Sequence, residues 1–236
     1  MKEKIINILK FLVCFLSFYF IDIIVVKILN IFGLDVTKFS DFNFLLLKFI
    51  TSLIIFIILF FVYFKDIKKE FKTFKKDLNK NIWFILKMFV VFMVVKFLVS
   101  IVSTLLIKYF GYDLESINSV NQQTVEAYVK ISPLLMTLTS SVLAPFYEEF
   151  LFRLGIKKII KNKYLFMIFS GLLFGLLHIF PLAEGISLTL GLIQSITYVS
   201  MGIFLAYIYE KSNIYNSIGV HFLNNLLSIL FMISTL

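Results

Sequence analysis

Residues 133–156 read PLLMTLTSSVLAPFYEEFLFRLGI, an apolar stretch long enough to cross a bilayer that nevertheless holds Glu148, Glu149 and Arg153. About 20 predominantly apolar residues carry a helix through ~30 Å of hydrocarbon. Ionisable groups placed there cost roughly 2.5–3.5 kcal/mol each on insertion scales, so several together point to a function. Arg153 is the one arginine among 23 basic residues, and the chain's two histidines, His178 and His221, both follow it.

Outward from this stretch lie six more apolar runs, at roughly 5–28, 44–64, 82–107, 164–181, 186–209 and 214–235. The composition agrees: 60% of residues are hydrophobic, 30 are phenylalanine, only 16% are charged, and the mean hydropathy is +0.97. These values lie far from a soluble domain of this length. The expected fold is all-α, a polytopic membrane protein with about seven transmembrane helices. No internal repeat or Pro/Gly-rich linker divides it. One structural domain is expected, with three N-terminal spans and a basic cytoplasmic loop in 1–132 and a motif-bearing catalytic core in 133–236. The basic start resembles a secretory signal, but its apolar run is too long and no small-residue cleavage site follows, so it reads as a retained first span. Cys14 lies inside that span and reads as a small packing residue.

The net charge of +9 follows topology. Residues 65–80 hold seven lysines against three acids, and residues 153–163 hold Arg153, Lys157, Lys158, Lys161 and Lys163 with no acid. Short basic connections stay on the cytoplasmic side. The alternate loops, at 29–43, 108–132 and 180–185, carry few lysines and most of Asp35, Asp41, Asp113, Glu115, Glu126 and Glu184. A cytoplasmic N-terminus in a cell (plasma) membrane is therefore expected, with lipid headgroups and not nucleic acid as the partner of the 65–80 stripe. The 108–132 loop is a candidate lid or substrate contact. Asp22 and Lys96 are the deepest charges of the first three spans; a contact between them and an interface position for each are both open.

On a helix, Glu149 and Arg153 stand four apart with the acid first, the favourable order for an ion pair. Arginine in place of lysine suggests a bidentate grip on Glu149. Glu148 points ~100° away, free to face a cavity as a general base. Pro145 removes a backbone donor and can kink the helix so that the acids face inward. Gly171, Gly175 and His178 share one face, and the Gly-x-x-x-Gly spacing allows a close helix approach, expected to bring the imidazole against the fourth span. His221 and Asn225 stand side by side on the last span, with Asn224 slightly off that face. Two such donors suit an oxyanion. Counted from lysine-marked boundaries at ~1.5 Å per residue, Glu148 and His221 lie about 15 Å deep and His178 about 22 Å. Taken singly, each element has a structural explanation as an ion pair, a packed histidine or an interhelical hydrogen bond. Together, at compatible faces and similar depths, they point to one site.

Glu-Glu-x-x-x-Arg at 148–153, Phe-x-x-x-His at 174–178 and His-x-x-x-Asn at 221–225, in that order, resemble the CAAX protease and bacteriocin-processing (CPBP, or Abi) family of intramembrane endopeptidases. The resemblance covers about 133–225. It implies that Glu148 is the catalytic glutamate and His178 its partner in activating water, that His221 and Asn225 stabilise the oxyanion, and that Glu149 and Arg153 support them. A carboxylate and two imidazoles, Glu148, His178 and His221, could also hold zinc. No His-Glu-x-x-His helix preassembles such a site, so a metal-free reaction with no required cofactor is favoured, with Zn as the alternative. The expected partner is a peptide or membrane-protein substrate. The Lys-, Ile-, Phe- and Asn-heavy composition suits a bacterial source, which favours processing of a peptide signal or bacteriocin, or self-immunity. Two other functions compete: a non-catalytic scaffold regulating a partner such as a sensor kinase, and a small transporter, the latter poorly served by the lack of inverted repeats. Nothing in the sequence sets an oligomeric state.

Overall fold

The chain is an all-α polytopic membrane protein, seen here in a computed structural model that describes residues 2–113, 118–180, 182 and 184–236. Glu115, assigned above to an outer loop, lies outside the described residues. In chain order the helices are α1 (Lys2–Ile31), α2 (Asp41–Val62), α3 (Phe64–Lys76), α4 (Leu78–Tyr109) and α5 (Val120–Ile131). A composite helix follows over 133–159, then α9 (Lys163–Leu177), α10 (Leu188–Lys211) and α11 (Ile214–Ser234). The composite helix alternates three short α pieces, α6 (Pro133–Met136), α7 (Ala144–Glu149) and α8 (Ile156–Ile159), with π-helical stretches at Thr137–Leu143 and Phe150–Gly155.

Each of the seven apolar runs thus holds a helix among the described residues. Five of the helices, α1, α2, α4, α10 and α11, are long and apolar enough to cross a membrane. Side chains such as Leu9, Trp83, Val90 and Phe97 stand exposed along them, as a lipid-facing surface requires. Side-chain caps set several helix starts: Ser40, Ser119, Asn162, Ser187 and Asn213 each accept a first-turn N–H. Gly33 and Gly111, at φ +79° and +76°, supply the left-handed residue that stops α1 and α4.

Two elements differ from the sequence expectation. The 65–80 stretch is mostly the helix α3, with Ile67 buried and its lysines exposed, because an amphipathic period runs beneath the charge density. The 108–132 stretch contains α5, whose Val129 packs on Met136 and Ile229.

A polar knot fixes the lysine-rich end of the bundle. The Asn81 side-chain carbonyl accepts from the amides of Asn216 (2.8 Å) and Asn213 (3.3 Å), and Asn81 donates to the Phe74 carbonyl at 2.9 Å. Glu70 accepts from the Ile214 N–H at 3.3 Å. Burial raises the Glu70 carboxyl above its usual range, and that hydrogen bond pulls it back down in part. Lys158 pairs with Asp66 at 2.8 Å and Lys157 pairs with Glu210, tying α8 to α3 and α10.

The main core packs Cys14, Leu59, Phe150, Phe152, Phe166 and Phe174 from α1, α2, the composite helix and α9. Gly171 and Gly175 do allow a close approach, but of α10 and not of the fourth span. A Cβ on Gly171 would lie 2.7 Å from the Ile203 amide nitrogen, and one on Gly175 2.5 Å from that of Val199. Small-residue spacing permits proximity without naming the neighbour. Asp22 and Lys96 do not meet: Asp22 accepts from Lys48 at 2.6 Å, and Lys96 turns inward to Asn224 at 2.9 Å. Lys48 on α2 lies nearer in the antiparallel pair with α1 and takes the carboxylate first.

Backbone sits where a Gly175 side chain would have to go, so Gly175→Ala forces α9 and α10 apart. A destabilisation of about 1–3 kcal/mol is expected, typical of overpacking, read as a lowered unfolding midpoint in detergent.

Candidate active site

Pro145 lies in the first turn of α7 just after a π stretch, and a second π stretch begins at Phe150. Wide turns of this kind are frequent at functional sites. Between them, Glu148 and Glu149 point to different places.

Glu149 is fully buried with Arg153, whose Nε lies 3.1 Å from its Oε2. The same oxygen accepts from Ser217 at 2.6 Å, and the other faces His221 Nδ1 at 3.1 Å. The expected bidentate grip is absent. Arg153 Nη1 donates instead to Ser170 at 2.9 Å, and the guanidinium stacks on Phe174, 5.1 Å from the ring centroid. Its Nε and Nη2 make no aligned hydrogen bond to the carboxylate, so the contact is mainly Coulombic. The Nη1 side of the guanidinium is turned to Ser170 on α9, so the carboxylate meets it from the side of Nε.

Glu148 faces a cavity of about 400 Å³, whose wall also includes His178, His221, Asn225, Asn224 and Lys96. All four expected catalytic residues therefore border one space. His221 Nε2 lies 3.7 Å from Glu148 Oε2. That exceeds hydrogen-bonding distance and is the span across which a bridging water is to be sought. A carboxylate only accepts, so the Nδ1 facing Glu149 carries a proton in the neutral ring, leaving the Nε2 lone pair on the Glu148 side. His221 thus stands between the two carboxylates.

His178 follows α9 as its C-terminal cap residue. Its Nδ1 meets the Phe174 carbonyl at 2.7 Å, again fixing the proton there and leaving Nε2 as an acceptor. The ring stacks on Tyr198, with centroids 4.8 Å apart, so it leans on α10. Phe174 touches Arg153, His178 and His221 alike, with its ring centroid 4.4 Å from that of His178 and 5.8 Å from that of His221. Asn225 donates to the Ser140 carbonyl at 2.8 Å and accepts from Asn224 at 2.9 Å. α5 completes the wall with Asn121, Gln122 and Val125.

Among the described residues no three histidine, cysteine or acidic side chains gather closely enough to hold a metal ion. Glu148 and His221 converge, but His178 is turned to its own backbone carbonyl and to Tyr198. This arrangement does not fit a zinc site. Sequence reasoning missed Ser170, Ser217 and Tyr198 as supports. Ser217 lies four residues before His221, on its face, and only that spacing hinted at it.

A family model described as type II CAAX prenyl endopeptidase Rce1-like matches residues 130–227. That segment is similar to the Rce1-like family. It holds each of the three motifs, and α1 to α4 lie before it. No curated protein and no solved structure matches the chain. Within the matched segment, the Glu-Glu-x-x-x-Arg motif divides between a cavity acid and a buried pair that grips the histidine of the last helix.

Breaking the pair strands a charge in the core. Arg153→Met is expected to destabilise by about 3–5 kcal/mol, and adding Glu149→Gln to recover a substantial part of that loss. A double-mutant cycle on unfolding in detergent checks this.

Proposed function

We propose that the chain is an intramembrane endopeptidase that hydrolyses a peptide bond near the end of a membrane-associated peptide or protein, without a metal. The observation that carries this is Glu148: a carboxylate on an apolar span, open to a cavity, with an imidazole 3.7 Å away, in a segment that matches an endopeptidase family. Glu148 takes a proton from water as the oxygen attacks the scissile carbonyl. His178, its Nε2 left free, orients that water. The oxyanion accepts from the second amide N–H of Asn225 and from His221 when its Nε2 is protonated. Glu148 then gives its proton to the departing amine as the C–N bond breaks, so one water is consumed and the side chains return to their starting state. Glu149 and Arg153 keep His221 in register.

In cells, the lysine-rich end faces the cytoplasm, which follows from the basic connections. A peptide signal or bacteriocin is the substrate class that a bacterial composition favours.

Glu148→Gln keeps the shape and removes the base, and loss of roughly 10²–10⁴-fold in cleavage is expected. Comparing protein and peptide termini in cells carrying wild type, Glu148→Gln or no copy, at matched membrane expression, tests it. Termini made only by the wild type support the protease and name its substrate. Full rescue of the deletion by Glu148→Gln, with no terminus changed, would replace it with a scaffold. Activity of purified protein should also survive dialysis against a chelator, since no step uses a metal.

A further inference from the structure

The cavity beside Glu148 is closed towards one end of the bundle and open towards the other. On α4 its lining begins at Lys96 and on α11 at His221, and from there it runs on to Ile107 and Met232, close to where these helices finish. α10 runs the opposite way, and its share stops at Met201, short of the lysine-rich end. Among the described lining residues none belongs to 65–80 or 153–163. Buried side chains fill the space between the cavity and that end. Every residue from Glu149 to Ile156 is buried, as are Leu205, Ala206 and Ile208 on α10, and Ser217 and Ile218 on α11 carry the closure to the Asn81–Asn216 knot. At the opposite end the wall is polar and open: Asn118 and Asn121 line the cavity and are themselves exposed. The cavity continues there into a groove of about 710 Å³, with which it shares Gln122, Ser228 and Met232. Gln122, Glu126 and Lys130, spaced by four on α5, make one polar wall of this groove, and the exposed Leu227 and Phe231 of α11 make an apolar one.

We infer that substrate reaches Glu148 from the extracytoplasmic side, so that a membrane-translocation step must supply the peptide before it is cut. This deepens the endopeptidase reading and rests on it. Short basic connections hold the closed, lysine-rich end in the cytoplasm, which leaves the open end outside. A peptide approaching from the cytoplasm would meet the buried Glu149–Arg153 pair and the apolar side chains packed around it, with no room for its backbone. A detour through lipid would leave its amides unpaired in hydrocarbon. From outside, the same peptide meets polar groups along its path, first the α5 stripe and then Asn121, Ser100 and Asn225. A groove with one polar and one apolar wall suits an amphipathic segment lying at the membrane surface. The substrate is therefore a peptide segment already exported, apolar enough on one side to rest at the outer leaflet.

The test is thiol labelling with a membrane-impermeant maleimide, in a full-length Cys14→Ser background that removes the one cysteine. Asn121→Cys and Ser100→Cys report on the cavity wall, and Lys75→Cys reports on the exposed face of α3. Protoplasts and inverted membrane vesicles are treated in parallel, each variant being made with and without Glu148→Gln. Asn121→Cys and Ser100→Cys should label in protoplasts and lose that labelling in inverted vesicles, and Lys75→Cys should do the reverse. Treating protoplasts that carry Asn121→Cys with Glu148 intact should also abolish the peptide termini that depend on Glu148, whereas Cys14→Ser alone keeps them under the same treatment. Labelling of both cavity variants in inverted vesicles only, or of Ser100→Cys on the same side as Lys75→Cys, overturns the inference. The Glu148→Gln copies report the side without catalysis, which separates the two readings. Labelling from outside with no terminus that depends on Glu148 sinks the endopeptidase reading, and such termini with the cavity labelled only from the lysine-rich side sink this inference alone.

Discussion

One buried contact organises the site, the pairing of Glu149 with Arg153. Two charges removed from water are held only by satisfying each other and their neighbours. Here that recruits Ser170 from α9 and Ser217 and His221 from α11, so one ion pair joins three helices. Phe174 closes the set from α9 by lying against the guanidinium and both imidazoles. The geometry around Glu148 is a consequence, because His221 is aimed by the acid next door.

The division of labour between adjacent glutamates follows from helical rotation. Glu149 turns into the core and is satisfied, while Glu148 meets a space with room for water and substrate. The general-base role proposed for Glu148 needs that contrast, since a carboxylate fully engaged by an arginine holds its proton poorly. The polar atoms opposite it on α11 are held in turn by neighbours, Asn225 by Ser140 and Asn224 by Lys96, so the cavity wall is fixed before any substrate arrives.

Much of this was legible in the sequence, because hydrocarbon is a severe solvent. The seven apolar runs, the two directions of the glutamates and the common depth of Glu148 and His221 all follow from helix geometry and the cost of charge. What failed was long-range identity. Gly171 and Gly175 announced a close approach, but nothing local said that α10 would be the neighbour. For Lys96 a contact with Asp22 and an interface position were both open, and neither names the neutral amide 128 positions away that it meets. The Arg153 fork was expected to be used whole on Glu149, whereas Ser170 on α9 takes Nη1 and the carboxylate faces Nε. α3 was hidden because seven lysines in 65–80 read as a loop before their period is noticed.

The π stretches at Thr137–Leu143 and Phe150–Gly155 carry a consequence for how such a site can change. Each wide turn stores surplus chain in a helix that still spans the same layers. Deleting one residue from the first would let it tighten to an ordinary turn with everything beyond kept close to its present direction, whereas the same deletion from a regular turn would swing Glu148 off the cavity by ~100°. The register of the site is thus a matter of counting as much as of chemistry. A length change of one residue could silence or re-aim the carboxylate in a protein whose side chains, residue for residue, were all still present.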